Sequence, residues 1–203
     1  MPPVDVAVLV PVKDFRLAKL RLTGALEPFE REALARTMAT TVVAAARPLP
    51  VFVVCDDDGV ATWAESAGAT VLWRPGLGLN GAVTDGVVAL GEVGVQRVIV
   101  AHSDLPLARR LDGVAALPGL TLVPDRRDDG TNVACVPTGV GFTFSYGPGS
   151  FRRHAAEGRR LGLSVRVVRD PGLGWDVDVP EDLVHSALEE VLSWLRTHPA
   201  SQR

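Results

Sequence analysis

Only two lysines stand against nineteen arginines in this chain, and both, Lys13 and Lys19, fall within the single segment Val10-Pro-Val-Lys-Asp-Phe-Arg-Leu-Ala-Lys-Leu-Arg-Leu22. A compact ammonium on a flexible stem fits beside a crowded polyphosphate where a planar guanidinium fork often does not. The segment therefore reads as an anion site, with Arg16 and Arg21 adding charge. A solvated basic loop is the competing reading of the same residues.

Three aspartates supply the complementary chemistry. Asp104 lies in His102-Ser-Asp-Leu-Pro106, just past an apolar run, and Asp176 and Asp178 lie in Trp175-Asp-Val-Asp-Val-Pro180. Alternate residues of an extended chain face the same way, so Asp176 and Asp178 can present two carboxylates to one point. Together with Asp104 they make an all-oxygen set suited to Mg2+, which takes few carboxylates plus substrate phosphates. The plainer alternative makes Asp178 the cap of a final helix and Asp104 the cap of a turn.

A second anion site is read at Tyr146-Gly-Pro-Gly-Ser-Phe151, which runs into a helix. Amides at a helix start bind anions, Gly147 and Gly149 let a ligand approach the backbone, and the Ser150 hydroxyl is a further donor or simply an N-cap. Gly130-Thr131-Asn132 reads as a hairpin turn, and Gly76-Leu-Gly-Leu-Asn80 as a loop whose backbone and Asn80 amide can meet a base edge. Of the four histidines only His102 lies near this chemistry; His154, His185 and His198 fall on expected helices and receive no role. The chain carries no serine nucleophile elbow, zinc-ligand spacing or Walker loop. Two anion sites and a carboxylate metal site suit the joining of two phosphorylated substrates. A phosphate nucleophile is already ionised at neutral pH, so positioning and charge neutralisation on departing pyrophosphate are the remaining tasks.

The elements that must position these residues alternate strand and helix. Strands are expected at Val4–Val10, Val51–Cys55, Thr70–Trp73 and Arg97–Ala101, with helices at Pro28–Ala46, from Asp57 or Asp58 to Ala67, and Asn80–Val93. The second half reads as strands at Leu120–Pro124, Asn132–Pro137, Phe142–Ser145 and Ser164–Val168. A helix is expected at Ser150–Gly162, and a last one from about Pro180 to Thr197. Such repeats imply a largely parallel sheet covered on both faces, with ligands at the carboxyl ends of its strands.

The totals fit one domain over residues 1–203, 47% hydrophobic and 22% charged. A net charge of −3 argues against nucleic-acid binding. Two cysteines, Cys55 and Cys135, each in an apolar run, read as buried thiols. With no signal-like or membrane-length apolar segment in the sequence, a cytoplasmic protein is expected.

In order, Pro11-Val-Lys13, Ala18-Lys19-Leu20-Arg21-Leu22, Gly78-Leu-Asn80, Ser103-Asp-Leu-Pro106, Pro124-Asp-Arg126, Asp129-Gly-Thr-Asn132, Tyr146-Gly-Pro-Gly-Ser150 and Asp176-Val-Asp178 resemble the guanylyltransferases of coenzyme F-420 biosynthesis. These enzymes join GTP to phosphoenolpyruvate or 2-phospho-L-lactate. The resemblance implies an α/β/α sandwich around a mixed, mostly parallel sheet, of the nucleotide-diphospho-sugar transferase type. It implies Mg2+ on Asp104, Asp176 and Asp178, with the three-carbon acid at Thr131, Gly147 and Ser150. The nucleotide would lie along Val10, Pro11, Lys13, Lys19 and Arg21, with guanosine at Gly78, Leu79 and Asn80; Lys13, Lys19 and Asp104 are the catalytic set. The implied partners are GTP and a small phosphorylated three-carbon acid, phosphoenolpyruvate before 2-phospho-L-lactate or 3-phosphoglycerate, and a homodimer is allowed for. Two positions depart from the pattern, His102 and Val179, the latter standing where a threonine would cap the last helix. Two other classes are weighed: a metal-dependent glycosyltransferase using Asp176-Val-Asp178, and a catalytically silent GTP-binding module.

Overall fold

The computed structural model describes residues 5–185, 188–189 and 192–193. Its strands are β1 (Val6–Pro11), β2 (Val51–Cys55), β3 (Thr70–Trp73), β4 (Arg97–Ala101), β5 (Leu120–Pro124), β6 (Thr131–Pro137) and β7 (Val165–Val167). They form one seven-stranded sheet in the order β3-β2-β1-β4-β6-β5-β7. All run parallel except β6, which is antiparallel to both its neighbours, β4 and β5. The helices are α1 (Pro28–Ala45), α2 (Asp58–Ser66), α3 (Gly78–Glu92) and α4 (Ser150–Arg160).

Strand alternation divides the core. Val8 and Val10 of β1, Ile99 and Ala101 of β4, and Val133 and Cys135 of β6 pack under α1 and α2, where Val42 and Trp63 meet them. Ala7, Leu9, Val98, Val100, Ala134 and Val136 face the other way, against Val83 and Leu90 of α3 and Ala155 of α4. A strand buried on both faces needs apolar residues at every position, which explains the unbroken runs of β1 and β4. A third cluster joins Leu22, Leu34 and Met38 to Val177, Leu188 and Leu192. Both cysteines are buried free thiols, and burial pushes Cys135 up to about 11. No helix of the described residues is long and apolar enough to cross a membrane.

Several expected boundaries move. Helix α3 begins at Gly78 rather than Asn80. The expected strand at Phe142–Ser145 is instead irregular chain, because Phe142 and Phe144 fold into the aromatic packing beside α4 rather than onto a sheet edge. The last helix opens as a 3-10 turn at Pro180–Val184, followed by extended His185; residues 188–189 and 192–193 are helical, and the remainder of the expected helix lies outside the described residues. Asp57 rather than Asp58 caps α2, accepting from the Val60 amide at 2.9 Å.

Helix α4 lies close on the sheet because Gly158 has no side chain. A Cβ there would collide with Leu120 Cδ2 and press on Val165 Cγ2 at 3.0 Å. Gly158→Ala should therefore destabilise the protein by about 1–2 kcal/mol, overpacking outweighing the roughly 1 kcal/mol gained in helix propensity. Urea denaturation measures the change.

Candidate active site

The expected site residues gather at one edge of the sheet. β1 and β4 end there, and because β6 runs in reverse its first residue, Thr131, starts there. The His102 amide donates to the Asn132 carbonyl at 3.0 Å, tying the segment after β4 to the start of β6. The chain after β7 then crosses this edge. The Asn132 side-chain Nδ2 donates to the Leu173 carbonyl at 2.9 Å, the Arg126 backbone amide to the Gly174 carbonyl at 2.9 Å, and the Val177 backbone amide to the Asp104 backbone carbonyl at 3.3 Å. Val177 is fully buried in the third cluster.

Lys19 joins these segments. Its ammonium donates to Asp104 Oδ2 at 2.6 Å and to Asp178 Oδ1 at 3.0 Å. The loop after β1 brings it there through two short 3-10 turns, Phe15–Leu17 and Leu20–Leu22, anchored by Phe15 against Trp63 at 5.2 Å. Lys19 itself sits in the left-handed region, φ 55° and ψ 37°, a conformation costly for a residue with a Cβ. Lys19 is therefore a held cation, not part of a solvated basic loop. Lys13 stands exposed, with no ion pair among the described residues, and Arg21 reaches Asp178 Oδ2 only at 4.0 Å. Arg16 turns back onto Asp14 at 2.9 Å and Asp57 at 3.2 Å.

Charge in the cluster is only partly balanced. Burial pushes the Asp104 carboxyl up, but the Lys19 ammonium outweighs it and holds Asp104 below the ordinary carboxylate range. Asp176 has no such partner: burial, and then the negative charge of Asp104, push it up to about 6. One oxygen of Asp104 and one of Asp176 are buried without a hydrogen-bond partner. Among the described residues no three such side chains are already drawn together around a metal-sized point; the ammonium stands between Asp104 and Asp178. Hard, uncompensated carboxylate oxygens are nonetheless the donor set that a small divalent cation takes. His102 is buried beside this cluster, its ring 4.6 Å from that of Tyr146, and burial lowers its basicity.

Asp182, which the sequence reading passed over, holds the Asp178 segment in place. Fully buried, it pairs with Arg126 and, at 2.7 Å, with Arg127. It also accepts from the amides of Asp178 at 2.7 Å and Val179 at 2.9 Å. The apolar Val179 thus needs no capping side chain, since Asp182 serves its amide from three residues ahead. An acid at that spacing in Val179-Pro-Glu-Asp182 was a visible signal. Arg126 also stacks on Trp175, 4.3 Å from the ring centre.

On the other side of the site, Thr131 and Ser150 are buried with their hydroxyls 3.5 Å apart, and Gly147 is exposed with φ 114°. The amides expected to be open to an anion are largely engaged. Asp129 Oδ2 accepts from Gly149 at 3.0 Å, the Asp129 carbonyl accepts from Phe151 at 3.0 Å, and Gly147 accepts from Ser150 at 3.0 Å. The positive end of α4 has attracted the nearest carboxylate. Arg153 binds the carbonyls of Ser145 and Pro148, closing the loop on itself. What remains for a ligand here is the hydroxyl pair and the exposed Gly147 backbone. His154, given no role from sequence, is fully buried beside it, Nδ1 3.0 Å from Thr131 Oγ1. Its spacing of four from Ser150 put both on one helix face, the signal that went unused.

At the expected guanosine region, Gly78 has φ 62° and is exposed, and Leu79 packs partly against the α3 side of the core. The Asn80 side-chain Oδ1 accepts from the Tyr146 backbone amide at 2.7 Å, so its Nδ2 is the part left to meet a base. Val10 is buried and Pro11 half-buried at the end of β1.

Burial would raise the Asp182 carboxyl, but Arg126, the two amides and Arg127 hold it down at about 2. A depressed acid stabilises the fold above its unfolded value of 3.8 and loses that contribution as pH falls toward 2. Asp182→Ala should cost about 2–3 kcal/mol at neutral pH, less than a fully buried pair because both arginines reach water. In urea titrations the gap from the parent protein should close on acidification through that window.

The family model for guanylyl transferase CofC like proteins matches residues 6–191. A phosphoenolpyruvate guanylyltransferase of Roseiflexus castenholzii is 37% identical over 204 residues, covering 98% of this chain and 93% of that one. Its counterpart from Sphaerobacter thermophilus is 38% identical, with 86% and 89% covered. Among solved structures, a candidate nucleotide-diphospho-sugar transferase from Desulfovibrio desulfuricans superposes with a TM-score of 0.71 at 16% identity, covering 97% and 96%. A cytidylyltransferase from Leptospira borgpetersenii gives 0.58 at 12% identity, covering 97% and 95%. These two share the fold, the expected α/β/α sandwich with a mixed sheet. On the family match and the near-full-length relatives, the chain belongs to the guanylyl transferase CofC like family.

Proposed function

We propose that this protein transfers GMP from GTP to phosphoenolpyruvate, giving enolpyruvyl-diphospho-5'-guanosine and pyrophosphate, a step of coenzyme F-420 synthesis. The observation that carries the reading is the convergence of Asp104 and Asp178, 74 residues apart, on the Lys19 ammonium, with the uncompensated Asp176 nearby. The phosphoenolpyruvate guanylyltransferase relatives supply the substrate pair.

A phosphate oxygen of the acceptor attacks the α-phosphorus of GTP, a new P–O bond forms, and the bond to the pyrophosphate leaving oxygen breaks. The attacking phosphate is ionised at neutral pH, so the step requires no general base. Thr131, Ser150 and the Gly147 backbone hold the acceptor. Lys13, exposed on the loop after β1, faces the triphosphate with Arg21, while Lys19 holds Asp104 and Asp178 beside each other. Gly78, Leu79 and Asn80 border the guanine. Asp104, Asp176 and Asp178 would hold Mg2+, which when bound neutralises phosphate charge. Both substrates are free, water-soluble anions, consistent with a cytoplasmic enzyme.

A panel of phosphoenolpyruvate, 2-phospho-L-lactate and 3-phosphoglycerate against each nucleoside triphosphate, read by pyrophosphate release, tests the assignment. Fastest release is expected with GTP and phosphoenolpyruvate. Faster turnover of 2-phospho-L-lactate would replace the acceptor, and nucleotide binding without any release would favour the silent module. Asp104→Asn should cut turnover on the order of a hundredfold; unchanged turnover and magnesium dependence would remove Asp104 from the metal site. Ser150→Ala should weaken acceptor binding by about 1–3 kcal/mol and leave GTP binding intact; the reverse pattern in titration calorimetry would exchange the two subsites.

A further inference from the structure

His154 stands behind the hydroxyl pair with both ring nitrogens engaged. Its Nε2 is 2.9 Å from the Ser145 amide nitrogen, and its Nδ1 is 3.0 Å from Thr131 Oγ1. A backbone amide only donates, so Nε2 must carry the lone pair. The neutral ring's one proton then lies on Nδ1, pointed at the Thr131 oxygen. That direction fixes the Thr131 hydroxyl. Its oxygen accepts from the imidazole, so its own hydrogen has to turn away from the ring. Ser150 Oγ lies 3.5 Å from Thr131 Oγ1, too far to hold either hydroxyl hydrogen firmly.

We propose that His154 is a positioning residue that presents the Thr131 hydroxyl as a hydrogen-bond donor to the phosphate of the three-carbon acceptor. The inference rests on the acceptor assignment made under the proposed function. The ring is held in the required plane by Phe142, Phe144 and Tyr146, with centroids 5.8, 6.0 and 4.9 Å away. An imidazolium could not accept from Ser145, and the surroundings keep the ring neutral: burial first, then the neighbouring Arg153, lower its pKa to about 4, with Glu157 opposing only weakly. A neutral, tautomer-locked histidine behind a threonine is a device for aiming a hydroxyl that would otherwise rotate. The neutral ring adds no charge that would attract the triphosphate into the acceptor subsite.

The two hydrogen bonds can be removed separately. An asparagine amide nitrogen superposes on Nδ1 and keeps the bond to Thr131, whereas glutamine reaches the Nε2 position and keeps only the Ser145 contact. His154→Gln should raise the KM for phosphoenolpyruvate about tenfold with the KM for GTP unchanged, and His154→Asn should stay within about twofold. In a Thr131→Val background, His154→Gln should add nothing. If the glutamine chain does not fold, as judged by its thermal melt, His154→Phe, which fills the same aromatic pocket without a donor, takes its place with the same expectations. Equal losses in the asparagine and glutamine variants, a parallel rise in the KM for GTP, or an undiminished effect in the Thr131→Val background would overturn the proposal. A parent protein that releases no pyrophosphate from GTP and phosphoenolpyruvate would instead overturn the functional reading beneath it.

Discussion

One ammonium ties together three stretches of chain that the sequence keeps far apart. Lys19 reaches Asp104 across 85 residues and Asp178 across 159. A cation withdrawn from water is costly unless paired, and a withdrawn carboxylate likewise. Lys19 and Asp104 therefore require each other, with the half-exposed Asp178 as the second anchor. The left-handed backbone at Lys19 costs about 1–2 kcal/mol, and it persists because the packing of Phe15 and Leu22 on either side fixes the loop that carries it.

Around this bridge the molecule keeps a charge deficit on one side and neutrality on the other. Asp176 is left with an unpartnered oxygen and a raised carboxyl. Across the site, Thr131, Ser150 and His154 offer hydrogen bonds without net charge. Between them, Asp125 accepts from the amides of Arg127, Asp129 and Gly130, and Asp182 locks the chain leading to Asp178. Much of the arginine surplus is spent on such internal work. Arg126 and Arg127 serve Asp182, and Arg153 serves the carbonyls of the loop before α4.

The strands of the first half and their parallel character were legible because buried parallel strands must be apolar throughout and their helices carry clear caps and stops; the order in which they lie was not. Lys19, Asp104 and Asp178 were each legible as residues that carry chemistry, but their direct pairing was not: the sequence reading set Lys19 on nucleotide phosphates and the aspartates on a metal, whereas the ammonium bridges Asp104 and Asp178. Phe142–Ser145 misled because alternating aromatic residues look the same whether they pack on a sheet or against a helix. The amides before α4 looked open because sequence does not show which carboxylate folds back; Asp129 does so through a turn with Asp128 in the left-handed region. His154 was overlooked because a ring's hydrogen-bond partners lie outside its own helix, here Ser145 in the preceding loop and Thr131 on β6.

The reversal of β6 has a further consequence for how this scaffold can vary. A six-residue turn, 125–130, does the work that a parallel strand would have needed a whole crossover to do. Its length sets which way every residue of β6 points. Adding or deleting one residue, if the pairing slipped to match, would swing Thr131 off its face and exchange the two buried rows of the strand. Changes of residue type in that turn act differently, by loosening single contacts: Asp125 on the turn's own amides, Arg126 and Arg127 on Asp182, and Asp129 on Gly149. A changed letter in the turn would thus cost one contact, whereas a changed count would re-aim a whole strand.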